Sequence, residues 1–237
     1  MLVGYVVLYL RTQSDAWIYQ LGLGDSLSDA EVNSLVKKAE EVLRGHGAPN
    51  IRILVRDKQK RVSGSLHRCG WQEIDSIWIM ERKMSLPVNP KTLAGKGKFT
   101  IVEADPRSHL NGVMSVDRGS FAVGHRVPQE SLESHLSEGG AFVAISSEDN
   151  NVVGYNYNTL DTGTVGHFIR LGVDPSCRRQ GIAKALIHRA LDWFVNMEVP
   201  KIYLRTIPES AGAKLYETFG FFHSENERTF EIKLIPQ

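Results

Sequence analysis

The run Arg178-Arg179-Gln180-Gly181-Ile182-Ala183 joins a short apolar stretch, residues 167–173, to a segment with helical periodicity, residues 181–195. A strand, a tight basic turn and a helix start make an anion site. The first backbone N–H groups of a helix have no intrahelical acceptor and the macrodipole adds partial positive charge, so several donors converge on one phosphate. Gly181 lets an anion approach the backbone, Ala183 keeps the first turn slim, and Arg178 and Arg179 add charge. The nearest acid, Asp174, lies back at the strand end. Pyrophosphate binding is the chemistry these residues support. Other phosphate motifs fail, since no Gly-x-Gly-x-x-Gly follows a strand and Gly95-Lys96-Gly97-Lys98 lacks the Ser or Thr and the upstream Gly of a nucleotide loop.

The stretch resembles the signature of the GCN5-related N-acetyltransferases (GNATs): Arg or Gln, two free positions, Gly, one free position, then Gly or Ala. Arg178, Gly181 and Ala183 fill it. Downstream come a second apolar strand, residues 201–206, and the run Leu215-Tyr216-Glu217-Thr218-Phe219-Gly220-Phe221, which looks like the family's Leu-Tyr, three residues, Gly-Phe segment. The resemblance implies an α/β fold, a mixed twisted sheet flanked by helices that splays apart between the strands ending at Val173 and Thr206. Acetyl-CoA, as co-substrate, would lie in that opening. Its pyrophosphate would meet Arg178, Arg179, Gln180, Gly181, Ile182 and Ala183, and its pantetheine would pair with the backbone of Leu171, Gly172 and Val173.

Acetylating an amine requires a base to deprotonate it and favours a proton donor for the departing thiolate. Tyr216 matches the tyrosine that many GNATs use as the acid. For the base, His167 lies six residues before Val173, where related histone acetyltransferases carry a glutamate; an imidazole, with an ordinary pKa of about 6.5, could act directly or through a water. Strand alternation would put His167, Ile169, Leu171 and Val173 on one face. The bland alternatives are a packed aromatic at Tyr216 and a structural histidine at 167. Glu209 stands where many relatives carry an asparagine, and after Pro208 it suits a helix first turn. His125 and Arg126 fall in the region that usually shapes the acceptor pocket, and Trp193 and Phe194 read as helix core.

At 237 residues, 42% hydrophobic and 23% charged, the chain can bury a sizeable core. A formal charge of +1 argues against a nucleic-acid binder acting through a bulk basic field. Two cysteines, Cys69 and Cys177, give neither a disulfide framework nor metal-ligand spacing, so no metal and a reducing, cytoplasmic location are expected. Residues 1–10 are apolar but have no basic start, no cleavage site and too little length to span a bilayer, so no membrane association is expected.

Sliding the sequence on itself by 150 residues exposes an internal repeat. Val3-Gly4-Tyr5 falls on Val153-Gly154-Tyr155, Leu21-Gly22-Leu23 on Leu171-Gly172-Val173, and Cys69-Gly70-Trp71 on Phe219-Gly220-Phe221, with a slip of one residue at Pro49 and Ile51. The expected organisation is a degenerate, incomplete GNAT-like unit over 1–83, a linker over 84–98 rich in proline and glycine, and an acyl-CoA-binding GNAT domain over 99–237. The partial sheet of the first unit would be completed by the second domain or by another chain, as a homodimer. Where the second copy has the basic turn, the first has Ser28-Asp29-Ala30-Glu31, a capping box that fills its own helix start with carboxylates. Only the second copy should bind CoA.

The expected function is therefore transfer of an acetyl group from acetyl-CoA to a primary amine, on a small molecule or a peptide, by direct attack in a ternary complex. Two alternatives stay open: a non-catalytic acyl-CoA sensor or scaffold, and an aminoacyl or peptidyl transferase of the double-GNAT kind.

Overall fold

The computed structural model describes residues 4–12, 15–23, 28–47, 50–87, 98–161 and 164–233. Its contacts divide the chain into two compact units, Met1–Ile79 with Ser224–Gln237, and Met80–His223.

In the first unit, β1 (Gly4–Thr12) and β2 (Asp15–Leu23) form a hairpin. Helix α1 (Asp29–Gly45) leads to β3 (Asn50–Arg56), which pairs parallel with β2 over three residues. Helix α2 (Lys60–Arg68) and β4 (Gln72–Lys83) follow. The apolar stripe Val36, Ala39 and Leu43 of α1 packs with Ile51, Ile53 and Val55 of β3, each fully buried aliphatic side chain contributing about 1.5–3 kcal/mol. The final strand, β10 (Phe222–Lys233), runs antiparallel to β3 from Glu227–Arg56 to Lys233–Asn50. This corrects the expected boundary: the sequence reading gives everything after 99 to the second domain, whereas residues from 224 belong with the first unit because seven consecutive β10 residues pair with β3. Of the expected linker, residues 88–97 lie outside the described residues.

The second unit contains β5 (Phe99–Glu103), α3 (Pro106–Ser120), α4 (Gln129–Ser137), β6 (Ala141–Ser146), β7 (Val152–Asp161), β8 (Val165–Val173), α5 (Ile182–Asn196), β9 (Lys201–Thr206) and α6 (Ala211–Glu217). Strands β5 to β8 are antiparallel neighbours and β9 is parallel to β8, so the sheet is mixed, as expected. Alternation along β6 divides the core. Ala141 and Val143 pack with α3 and α4 residues such as Val116 and Leu136, while Phe142 and Ala144 pack with Ile182 and Leu186 of α5. Helix α3 starts on an Asp105 cap with Pro106 in its first turn. Helix α5 lies close on the sheet because Gly166 has no side chain: a Cβ there would meet Phe194 at 2.5 Å.

One buried residue was not marked by the sequence. The Arg82 side chain, 1% exposed, donates from Nε to the Phe219 carbonyl at 2.7 Å and from Nη2 to the Leu86 carbonyl at 2.6 Å. It thereby fixes the turn that ends α6. Arg82→Met should leave both carbonyls without donors and lower stability by about 2–5 kcal/mol in urea unfolding; a change below about 1 kcal/mol would show that the turn holds itself.

Candidate functional site

Strands β8 and β9 pair through Val165–Lys201, Gly166–Ile202, His167–Tyr203 and Phe168–Leu204. Among the described residues the ladder ends there, although β8 continues to Val173 and β9 to Thr206. Residues 169–173 therefore have no strand partner on that edge among the described residues, and the Val173 carbonyl accepts from the Ser120 hydroxyl at 3.0 Å and from Arg178 Nε at 3.4 Å. On the other edge, β8 carries a bulge: Tyr157 faces Arg170 and Asn158 faces Phe168, so Ile169 is the extra residue. A bulge inserts one residue into a two-residue period and reverses which face follows. Ile169 accordingly packs with the α3–α4 core, and Leu171 and Val173 with the α5 core. The expectation that His167, Ile169, Leu171 and Val173 share one face is overturned.

After β8, the Asp174 carboxylate accepts from the Ser176 N–H at 2.8 Å and the Ser176 hydroxyl at 2.6 Å, so this acid is occupied within its own turn. Arg179 (φ 67°) and Gly181 (φ 90°) are both left-handed, a conformation that glycine adopts without strain and arginine does not. Helix α5 begins at Ile182, one residue later than read from the sequence, and its first bond runs from the Ala185 N–H to the Gly181 carbonyl at 3.0 Å. No side chain caps this helix. The N–H groups of residues 182–184 therefore point out of the helix start without an intrahelical acceptor.

A cleft of about 1390 Å³ opens over this turn. All nine residues assigned to the cofactor by the sequence line it: Leu171, Gly172 and Val173, and Arg178 through Ala183 in order. Lys98 and Lys184 add cations to Arg178 and Arg179, against a single carboxylate, Glu148, which pairs with Lys98 at 2.7 Å. The cleft is thus long, mixed in polarity and electropositive near uncapped N–H groups. That suits an elongated anionic ligand.

The two expected catalytic residues do not line the cleft. His167, half-buried, stacks on Tyr203 with ring centroids 4.2 Å apart, and the Tyr203 hydroxyl donates to Asp161. Tyr216 follows Leu215, which does line the cleft, and its ring is edge-on to Phe168 and Phe221. Because Phe168 contacts Tyr216, alternation puts His167 on the opposite face of β8 from Tyr216. Burial pushes the Tyr216 phenol well above its ordinary value, and among the described residues nothing hydrogen-bonds its hydroxyl. Burial likewise raises Tyr155 strongly and pushes Tyr157 up to about 12. In the unfolded chain these phenols ionise near pH 10, so the neutral folded forms lose ground only as pH rises through that value. Stability should be flat below about pH 9 and fall by up to about 4 kcal/mol per pH unit above pH 10; urea midpoints that do not move by pH 10.5 would show that the phenols are solvated.

Glu209 does not begin a helix. It has φ 55° and precedes Ser210, whose hydroxyl caps α6 by accepting from the Ala213 N–H at 3.1 Å. Trp193 and Phe194 sit in or against the core, as expected. In the first unit the capping box read from the sequence is present: the Ser28 N–H donates to Glu31 at 2.7 Å and the Glu31 N–H to the Ser28 hydroxyl at 3.3 Å. Its helix start is satisfied internally, unlike that of α5. The sequence also missed a buried ion pair. Arg170, just past the bulge, donates from Nε to Asp117 at 2.8 Å, and Tyr155 donates to the same carboxylate. Among the described residues no group of three or more His, Cys, Asp or Glu converges on a metal site, and no helix is long and apolar enough to cross a membrane.

The fold is shared with known structures. A GCN5-related N-acetyltransferase from Sphaerobacter thermophilus matches with a TM-score of 0.82 at 17% identity, over 99% of this chain and 78% of that one. A tandem GNAT protein from the clavulanic acid biosynthesis pathway matches at 0.78 and 13%, over 99% and 80%. A GCN5-related glucosamine N-acetyltransferase region of a fungal multi-domain GH3 β-N-acetylglucosaminidase matches at 0.77 and 17%, over 97% of this chain and 31% of that one. No curated protein matches the sequence. Residues 110–221, which contain β6 to β9 and the whole of the α5 turn, match the acetyltransferase (GNAT) family, and the mixed sheet with its flanking helices is the GNAT fold.

Proposed function

We propose that the second unit is an acyl-CoA-dependent N-acyltransferase that moves an acetyl group from acetyl-CoA to a primary amine by direct attack in a ternary complex. The observation that carries this is the cleft joining the open edge of β8 to the uncapped start of α5. The residues fit CoA at both ends: the free edge of Leu171, Gly172 and Val173 suits the amides of pantetheine, and the N–H groups of residues 182–184, with Arg178 and Arg179, suit a pyrophosphate. Acetyl-CoA supplies an activated thioester when bound. Tyr216, kept neutral by burial, donates its proton toward the departing sulfur from the α6 side. His167, one residue before the end of the β8–β9 ladder, would take the amine proton, directly or through a water, from the other face.

The first unit is read as a degenerate copy of the second. Support comes from register. Gly4–Leu23 and Tyr5–Gly22 of the first hairpin match Gly154–Val173 and Tyr155–Gly172 of the second, and Leu8–Ile18 matches Asn158–Phe168 across a bulge in the same place. Trp17–Arg52 matches His167–Tyr203 in the parallel pair. The turn bond from the Trp71 N–H to the Leu66 carbonyl is repeated from Phe221 to Tyr216. Leu66 in place of Tyr216, and the capped start of α1, leave this copy without the acid or the anion site. Two free cysteines fit a reducing cytoplasm.

Thiol release from acetyl-CoA, followed with a disulfide reagent, tests the reading over a panel of glucosamine, spermidine, free amino acids, an aminoglycoside and a lysine peptide. Glucosamine is included because one similar structure is named for it. Release above the amine-free rate is expected for at least one class. CoA binding without any release would replace the enzyme with an acyl-CoA sensor.

A further inference from the structure

Nδ2 and Oδ1 of Asn156 and Oδ1 of Asn158, both in β7, are buried without a hydrogen-bond partner among the described residues. Asn156 is 0% exposed and Asn158 2%. The Asn158 Nδ2 donates to the Gly140 carbonyl at 2.6 Å, and since a carbonyl only accepts, Oδ1 of that residue must find its donor elsewhere. Both side chains lie between the sheet and α5. Asn156 stands directly opposite Phe142, so the two share a face, and Phe142 packs with Ile182 and Leu186. Alternation returns Asn158 to that face, where the Trp193 ring covers Gly140 so closely that a Cβ there would meet it at 2.7 Å. The core packed there, Phe142, Ile182 and Leu186, is apolar and offers the carboxamides no partner. Buried polar atoms in folded proteins nearly all have one.

The neighbouring strand is irregular at the same place. Asn156 pairs with Leu171 and Asn158 with Phe168, so two steps along β7 answer three along β8, and Ile169 has no partner on β7. A bulge leaves the backbone of its extra residue out of the ladder. Unpaired carboxamides and an unpaired strand residue therefore lie side by side. Residues two apart on one strand face are separated by about 7 Å, a gap that a water making two bonds of about 2.8 Å nearly spans. We infer that buried water bridges the carboxamides of Asn156 and Asn158 to each other and to the backbone of the β8 bulge. Water is uncharged, donates and accepts, and so serves Nδ2 and Oδ1 together where an ion would go unbalanced. Held this way, the bulge keeps the setting that turns Leu171 and Val173 toward the α5 core. The inference stands apart from the acyltransferase reading, because the site lies under α5 and its two asparagines do not line the cleft.

A high-resolution crystal structure of the intact chain tests this directly. Ordered solvent is expected within about 3.2 Å of Oδ1 of both asparagines. Density with no solvent there overturns the inference. So does direct pairing of Asn156 with Arg189, whose guanidinium lies 4.7 Å from the centroid of the Phe142 ring. Asn156→Leu, of similar volume and without polar atoms, gives a second reading in urea unfolding. If water satisfies the carboxamides, the variant displaces it and leaves Asn158 Oδ1 and the bulge without their partner, so the folding equilibrium constant should fall by at least about fivefold. If the carboxamides are dry and unpaired, the same change removes two orphaned atoms and the constant should rise. A constant unchanged or higher than wild type overturns the water bridge.

Discussion

Gly181→Asp should weaken CoA binding by at least about a hundredfold, while Gly181→Asn should weaken it by less than about tenfold. Both replacements meet the same backbone strain at φ 90° and have nearly the same shape. Only Asp places a carboxylate at the α5 start. Two like charges about 4 Å apart at an effective dielectric near 20 repel by about 4 kcal/mol, which is about a thousandfold in affinity before relaxation. The Asn variant isolates charge from strain, and thermal melts of the two should agree. Equal CoA affinities for Asp and Asn would place the pyrophosphate elsewhere. Arg178→Ala, which removes a single charged donor worth about 1.5–3 kcal/mol, should cost about ten- to a hundredfold.

Tyr216→Phe should lower kcat by about 10² to 10⁴ with the CoA dissociation constant unchanged, because the hydroxyl is lost and the buried ring kept. The acidic limb of its pH profile should survive, since the raised phenol is protonated throughout that range. His167→Ala should instead remove the rise in kcat/KM between about pH 6 and 7 that imidazole deprotonation gives. Two amines of different pKa are needed, so that a limb belonging to the substrate can be told from one belonging to the protein. The pair of residues lies on opposite faces of β8, and a double variant that loses no more than the worse single would show both acting on one step. If His167→Ala keeps both rate and profile, the ring stacked on Tyr203 is structural and the base lies elsewhere.

What could be read from sequence was local. Residues 178–183 announce the α5 turn because glycine, small residues and arginines in that order act through neighbouring backbone alone. Ser28 and Glu31 announce the capping box for the same reason. The repeat proposed for the first unit draws its support from a hairpin register that residues 4–23 share with residues 154–173. The bulge at Ile169 leaves no mark in composition, and it moved Leu171 and Val173 off the face of His167. The pairing of β10 with β3 joins residues far apart in the chain, which no local pattern marks. Arg82, Asp117 and Arg170 carry no mark in the sequence, because only tertiary packing buries the first two and sets what all three hold.

A crystal structure of the intact chain grown with CoA tests the central assignment most directly. One CoA per chain is expected, its pyrophosphate within hydrogen-bond reach of the N–H groups of residues 182–184 and its pantetheine along Leu171, Gly172 and Val173. A pyrophosphate bound away from the α5 start, or a second CoA at the capped start of α1, would contradict it.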